Sequence, residues 1–160
     1  MQKIPDYMFQ QCSNLEDVEI SEGLEKMGIY AFSYCNLLTS IVFPQSLTSI
    51  GTYAFSNCTS LSEVFAPWKT PISCGGDAFY NIIKNAILHV LENCEGKYAV
   101  ATGWKVFTNI NVYSPTEIST PFINDKKIDL KGIIFDLGGR RVKNMKKGEI
   151  YIIDGNKIRM

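Results

Sequence analysis

Apolar positions recur along the first half of the chain at a constant step of twenty-three residues. Each position keeps its residue type from one repeat to the next, and the recurring positions are Tyr7, Tyr30 and Tyr53; Phe9, Phe32 and Phe55; Cys12, Cys35 and Cys58; Leu15, Leu38 and Leu61; Val18, Ile41 and Val64. A repeat this short is too small to bury its own apolar face, so successive repeats stack on one another. The pattern predicts a solenoid whose core is a set of these columns.

Within each repeat the apolar spacing predicts one short strand. The pattern Leu-x-x-Val-x-Ile ends in alternating apolar and polar residues, which places one face of a strand inward. Strands of neighbouring coils then pair in parallel, about 4.8 Å apart. The YAFSxC segment before the strand has a spacing too tight for alternating faces and predicts a short helical turn. Gly28, Gly51, Pro44 and Pro67 fit the bends that close each coil.

The second repeat, MGIYAFSYCNLLTSIVFPQSLTS, resembles the leucine-rich repeats of the BspA-like type, whose usual form is close to IGxYAFxxCxxLxxVxxPxxLTS. The third repeat follows the same form through CTSLSEV before it drifts. The resemblance implies a mainly β, right-handed α/β solenoid with short helical turns, which is the predicted fold class.

The resemblance extends to a degenerate fourth unit with DAFYN, followed by a terminal coil with the element GWKVFTNI. In that family the terminal coil commonly carries a strand, a short helix with a tyrosine, and a GWxxFxNI element, and Tyr98, Trp104 and Phe107 occupy the corresponding positions. The predicted solenoid covers residues 1–112, with coils at about 4–26, 27–49, 50–72 and a degenerate part at 73–112.

Two further segments follow the predicted solenoid. Residues 113–121 are aperiodic and contain two prolines, as is typical of a linker. Residues 122–160 contain β-branched runs separated by Gly-Gly and Asp-Gly-Asn, which predicts a small antiparallel β-hairpin module. IFDLGGRRV and KGEIYIIDGNKI are similar to a C-terminal element of secreted proteins of anaerobic bacteria, which implies export or surface attachment.

Composition narrows the classes of partner. Sixteen basic and sixteen acidic residues cancel, so no positive field attracts nucleic acid. No apolar run approaches the eighteen or so residues that span a bilayer, and MQKIPDYMFQ lacks the apolar stretch of a secretory signal. Either the chain is cytoplasmic or its targeting segment is absent from this sequence.

Five cysteines are an odd number and too sparse for a disulfide scaffold in a chain of this length. Side chains in a stacked column point in parallel, whereas a disulfide requires them to converge. We expect an interior ladder of reduced thiols, with only Cys74 or Cys94 able to depart from it. The spacing also gives no zinc pattern, and no cofactor is expected.

Catalytic groups are scarce. His89 is the sole histidine, and it lies in the strand-like AILHVL, where a structural or surface position is expected rather than a catalytic base. No pair of carboxylates stands out as a glycosidase site. The sequence therefore predicts a protein without enzymatic activity.

The predicted strands suggest one candidate interaction surface. The outward residue of successive coils changes from Glu19 to Val42 and then to Phe65, and Trp68 follows shortly after. An exposed apolar patch of this kind marks contact sites. The alternative is that Phe65 and Trp68 pack under the irregular segment KTPISCGG.

The function predicted from these features is a non-catalytic interaction or adhesion module of a secreted or cell-surface bacterial protein. Its partner would be a protein or glycan, with no nucleic acid and no membrane span. The alternative is a C-terminal targeting or accessory part of a larger extracellular protein or enzyme, because MQKIPDYMF begins in mid-coil. The edge of the first coil is also a candidate for edge-to-edge self-association.

Overall fold

The structure is a computed structural model that describes residues 2–113 in full and, beyond them, the backbone of four short strands. In residues 2–113 the elements are β1 (Gln2–Ile4), β2 (Leu24–Met27), β3 (Ser40–Val42), β4 (Ser49–Ile50), β5 (Glu63–Ala66), β6 (Ser73–Cys74), β7 (Ile87–Val90), α1 (Glu95–Val100) and β8 (Asn109–Val112). Nearly all regular structure there is β, as the repeat pattern predicts.

The strands form two parallel sheets that run along the solenoid. Sheet 1 has the order β1-β2-β4-β6 and sheet 2 the order β3-β5-β7-β8, so each sheet gains a strand once per coil. In sheet 2, Ile41, Val64, Leu88 and Ile110 lie opposite one another, in the inward column that the sequence predicts from Ile41 and Val64. The parallel stacking of coils is therefore confirmed, whereas sheet 1 is not foreseen from the sequence.

The third side of each coil consists of tight turns. We call it the turn side; it comprises residues 5–15, 28–38, 51–61 and 75–86. The expectation of helical turns at YAFSxC is wrong, because Tyr30 and Tyr34 have φ angles of 55° and 63°, outside the right-handed helical region. Alternate N–H groups point to the next coil: those of Tyr30, Phe32 and Tyr34 donate to carbonyls of coil three at 3.1, 2.7 and 2.9 Å.

Aromatic and thiol ladders fill the interior. Phe9, Phe32, Phe55 and Phe79 stack in sequence, with ring centroids 4.9, 5.3 and 5.4 Å apart. All five cysteines are buried and none forms a disulfide, so the interior position of the column Cys12, Cys35 and Cys58 is confirmed, and Cys74 and Cys94 are buried as well. The Sγ atoms of Cys35 and Cys58 donate to carbonyl oxygens of the preceding coil at 3.2 and 3.1 Å.

The tyrosine column differs from the predicted interior position. Tyr7 is exposed, and Tyr30 and Tyr53 are half-buried, while the alanine and phenylalanine after Tyr30 and Tyr53 are fully buried. All three tyrosines have positive φ, and this turn in the backbone directs their side chains outward. The tyrosines thus belong to the surface of the turn side.

The first coil also departs from the expected pattern. Val18 and Ile20 are half-buried against the core but lie outside any strand. Here the first coil joins the second through a bond from the Thr39 N–H to the Glu16 carbonyl at 3.4 Å, which is long for a ladder bond. Sheet 2 therefore begins in the second coil.

The last strands of the chain are β9 (Ile134–Asp136), β10 (Arg141–Val142), β11 (Ile150–Ile153) and β12 (Asn156–Arg159), paired antiparallel in the order β10-β9-β11-β12. The linker predicted at 113–121 lies, apart from its first residue, outside the described part of the chain, as do the loops of the module predicted at 122–160. Both domain assignments stay predictions.

Candidate interaction surface

The outer face of sheet 2 carries one continuous column of side chains. The parallel register places Val42, Phe65, His89 and Asn111 opposite one another in successive strands. Val42 is 37% exposed, Phe65 and His89 are half-buried, and Asn111 is exposed. The alternation within β5 and β7 turns their neighbours inward, so this column faces solvent while the core lies behind it.

The centre of this column is an aromatic cluster. The rings of Phe65 and His89 lie parallel, with centroids 4.2 Å apart. Tyr113 meets both rings edge-on, at 5.7 Å from Phe65 and 6.5 Å from His89. Burial raises the pKa of the Tyr113 phenol to about 12, so it keeps its proton to a higher pH than an exposed tyrosine does. We name Phe65, His89 and Tyr113 the aromatic cluster.

A carboxylate fixes the orientation of the imidazole. His89 Nε2 and Glu63 Oε2 form a hydrogen bond across neighbouring strands. The ring is therefore held by stacking on one side and by a polar bond at its nitrogen. This arrangement agrees with the structural or surface position expected for His89, since its imidazole serves to build the surface.

The structure brings together two of the four residues predicted for the surface. Val42 and Phe65 are neighbours in register, while Glu19 is exposed on the first coil, before β3, the first strand of sheet 2. Trp68 lies apart from them. Its ring packs on the interior rings of Phe43 and Trp104, with centroids 5.7 and 6.1 Å away.

Polar bonds also anchor Trp68 in that interior position. Its Nε1–H donates to the Gln45 carbonyl at 3.2 Å, and its own carbonyl accepts the Tyr98 hydroxyl at 2.9 Å. The Trp68 ring therefore packs against the end of the solenoid and takes no part in the surface on sheet 2.

Sequence reasoning missed two members of the surface, His89 and Tyr113. His89 occupies the same place in ILHV that Phe65 occupies in EVFA, so extending the register by one degenerate coil would have found it. Tyr113 follows the last strand directly and was assigned to the linker. Its contact with Phe65, two strands away, is a tertiary feature that no local pattern carries.

The acidic side chains gather at one end of this surface. Glu16, Asp17 and Glu19 are all exposed on the first coil. Glu22, by contrast, has a structural role, because its two carboxylate oxygens accept the N–H groups of Gln45 and Ser46 at 2.8 and 3.1 Å. The surface therefore runs from an acidic end to an aromatic centre, which holds the single carboxylate of Glu63 bonded to His89.

Within the described part of the chain, no group of three or more His, Cys, Asp and Glu residues is arranged to hold a metal ion. The thiols of the core are poor nucleophiles, since burial raises the pKa of Cys58 and of Cys74 to about 12. No helix within the described residues has the length and apolar character needed to span a membrane.

Comparisons with known proteins agree with this architecture. Residues 1–120 match the BspA type leucine rich repeat region in six copies. A leucine-rich repeat protein of known crystal structure from Bacteroides ovatus ATCC 8483 is 26% identical and superimposes with a TM-score of 0.57, over 70% of this chain and 28% of that one. The chain thus spans little more than a quarter of the length of that structure, and no curated protein matches. With its repeats matched over three quarters of its length, the chain belongs to the BspA type leucine-rich repeat family.

Proposed function

We propose that this chain is a non-catalytic protein-binding module of a secreted or cell-surface bacterial protein, and that it binds through the outer face of sheet 2. Leucine-rich repeat regions generally mediate protein interactions and are generally non-catalytic, and the BspA type is typically found in bacterial surface or secreted proteins. The contact surface comprises Val42 and the aromatic cluster at its centre, with Glu19 at its acidic end.

The observation that carries this proposal is the aromatic cluster itself. Aromatic side chains dominate the binding energy of protein interfaces, especially where neighbouring groups hold them in place before binding. Phe65 is fixed by stacking on His89 and by the edge of Tyr113, so little rotamer entropy remains to be lost on binding. Val42 beside it offers exposed apolar surface without charge.

The acidic end adds a directional element. Glu16, Asp17 and Glu19 would attract a partner with a basic patch and set its orientation along the sheet. Charges at the rim of an interface act mainly on the rate of association, and salt screens them. The proposed interface therefore predicts an association rate that falls with ionic strength, and a dissociation rate governed by Phe65 and Val42.

The test is binding of the full chain to a fixed panel of purified extracellular matrix proteins, measured by biolayer interferometry. Val42→Asp and Phe65→Ser should each weaken binding to any responding protein by about tenfold or more. Val100→Asp is the matched control, since Val100 is 78% exposed on α1 and belongs neither to sheet 2 nor to the aromatic cluster, and this variant should bind as the unaltered chain does. Equal affinities of the unaltered chain and its three variants for a responding matrix protein would contradict the proposal. Absence of saturable binding to every protein of the panel would contradict it as well.

A further inference from the structure

The outer face of sheet 2 carries negative charge with no positive charge in its strands to balance it. Asp17 and Glu19 are exposed on the first coil, and Glu63 is half-buried in β5, where its carboxylate bonds to His89. The strands of sheet 2 contain no lysine and no arginine. All basic residues of positions 1–113 lie outside sheet 2: Lys3, Lys26, Lys69, Lys84, Lys97 and Lys105. This face therefore attracts cationic groups.

The rest of the chain has the opposite charge. Residues 1–113 contain ten Asp and Glu against six Lys, whereas residues 114–160 contain ten Lys and Arg against six Asp and Glu. Half of those ten basic residues fall within the eight residues RRVKNMKK, which include no acid: Arg140, Arg141, Lys143, Lys146 and Lys147. We name residues 140–147 the basic segment. It is the densest run of positive charge in the chain.

The basic segment also matches the apolar part of the face. Val142 and Met145 stand between its cations, so charged and apolar side chains are interleaved. On sheet 2, Val42 and Phe65 are neighbours in register and lie beside the carboxylates of the acidic end and of Glu63. A thioether side chain adapts its shape to an aromatic surface and makes favourable contacts with the ring. The two sequences are therefore complementary in charge and in apolar contact.

The chain leaves sheet 2 at this same surface. Tyr113 follows β8 directly, and its ring is part of the aromatic cluster. Twenty-six residues separate Tyr113 from Arg140. Even at half of the extended length of about 3.3 Å per residue they reach about 40 Å. The four strands of sheet 2 span only about 15 Å, so the basic segment can reach any part of this face. Such a tether raises its local concentration to about the millimolar range.

We propose that the basic segment docks on the outer face of sheet 2 within the same molecule. Its cations lie beside Asp17, Glu19 and Glu63, and its apolar residues contact Val42 and Phe65. The segment then competes with any external protein for this surface, so the inference rests on the proposed function and adds an occupant that regulates it. Salt screens the contact and releases the surface.

The test is zero-length cross-linking of the full chain with a carbodiimide, which joins a carboxylate to a lysine amine in contact with it and does not modify arginine. Peptide mass spectrometry identifies the joined residues. Lysines of the basic segment should be joined to Asp17 and Glu19 about fivefold more often than to Glu92, an exposed carboxylate outside sheet 2. Raising the salt from about 0.05 M to about 0.5 M should remove most of this preference.

A substitution on sheet 2 separates docking from chance collision. Val42→Arg leaves every cross-linkable group in place and adds beside Glu19 a cation that the reagent ignores. It should lower the cross-linking of the basic segment to Asp17 and Glu19 about fivefold. Val100→Arg makes the same change on α1 and should leave cross-linking as it is. Thermal unfolding followed by circular dichroism checks that both variants are folded.

Three outcomes would overturn the proposal. Two of them are equal joining to Glu92 and to the acidic end, and unchanged cross-linking in folded Val42→Arg. The third uses a mixture of isotopically labelled and unlabelled chains: if joined peptides came only from two different molecules, the segment of a second copy would occupy the surface instead.

The proposed function is judged by a different measurement, the binding of matrix proteins by Val42→Asp and Phe65→Ser. Weakened binding by these variants without preferred cross-linking to Asp17 and Glu19 would overturn the docking of the basic segment alone. Preferred cross-linking without binding to any protein of the panel would overturn the proposed function alone.

Discussion

Aromatic side chains pack in opposite geometries in coils two and three, residues 27–72, and at the end of the solenoid, residues 73–113. Between the coils, Phe32 and Phe55 stack in parallel, with ring planes 1° apart. At the end, Trp104 meets Phe43 and Tyr98 edge-on, at 89° and 85°. A ring that stacks in parallel presents a second face on which the equivalent ring of another coil can stack. Edge-on packing covers the last rings of the column, so no such face remains. The difference separates residues that propagate the solenoid from residues that terminate it.

The terminating contacts converge on Trp104, which is fully buried. Its indole also touches Trp68 and Phe79, and its Nε1–H donates to the Ile72 carbonyl at 3.1 Å. One side chain therefore joins the last coils to the closing element. The predictions below are ordered by the size of the expected effect.

Trp104→Ala should have the largest effect, since it removes a fully buried ring and opens a cavity at the end of the stack. We expect a loss of about 3–5 kcal/mol in the free energy of unfolding, measured by urea denaturation. Val106→Ala, two residues away and exposed, should stay within about 0.5 kcal/mol of the unaltered protein. A loss below about 1 kcal/mol for Trp104→Ala would show that the end of the solenoid is closed by other contacts.

Gly51→Ala tests the spacing of the regular coils. A Cβ atom at Gly51 would lie 2.5 Å from the carbonyl carbon and 2.6 Å from the carbonyl oxygen of Gly28, which are backbone atoms of the coil before. We expect a loss of about 1–3 kcal/mol in unfolding free energy, because two coils must separate to make room.

The matched control for that change is Gly76→Ala in the degenerate fourth unit, where a Cβ atom would meet nothing within 4 Å. It should be neutral, or stabilising by up to about 1 kcal/mol through the unfolded state. If both alanine variants had the same unfolding midpoint in urea, the close backbone approach at Gly51 would not constrain the spacing of the coils.

Ser56→Ala tests a polar pair that exists only between coils two and three. The hydroxyls of Ser33 and Ser56 are buried and hydrogen-bonded to each other at 2.8 Å. Removing one leaves the other without this partner, at a cost of about 1–3 kcal/mol, whereas Ser33→Ala/Ser56→Ala should be nearly neutral. A double-mutant cycle measured in urea checks this, and additive losses would contradict it.

The smallest expected difference between the two regions is in the reactivity of their thiols near neutral pH. Cys58 lies in the regular column and Cys74 outside it, but burial raises the pKa of both from 9.0 to about 12. Both should resist Ellman's reagent at pH 8 until the chain is unfolded. Rapid modification of Cys74 alone would show that the degenerate fourth unit opens locally.

These thiols also imply alkaline destabilisation. Because the folded pKa is the higher one, the unfolded chain loses its protons first as pH rises. The stability they contribute is therefore fully present below pH 9 and declines toward pH 12, by up to about 1.4 kcal/mol per thiol per pH unit. Unfolding midpoints in urea measured across this range check the direction.

The columns of the core could be predicted from the sequence because stacking repeats the same contact every twenty-three residues. The Phe and Cys columns are interior as expected, and the register of Ile41 with Val64 follows from the same step. The tyrosine column shares this period but lies outside. The period alone identifies which residues of neighbouring coils stack on one another. Whether their column lies inside or outside the solenoid depends on backbone φ.

Elements too short to have a pattern of their own were not predictable. The two residues of β4, Ser49–Ile50, become a strand only because β2 and β6 lie on either side. The candidate surface shows the same limit. Val42 and Phe65 follow from strand alternation, but the edge of Tyr113 on Phe65 and the diversion of Trp68 to Phe43 depend on how the last coils close.

The stacking of identical side chains from neighbouring coils affects how the gene for such a protein can gain repeats. The ring of Phe32 stacks on its counterpart Phe55, and the same holds for Tyr30 and Tyr53. An in-frame duplication of one such repeat would place each new ring of these two columns next to a ring of its own kind, so the ladders could lengthen without a compensating substitution within them. A point substitution within a column, by contrast, alters the surroundings of two neighbouring repeats at once.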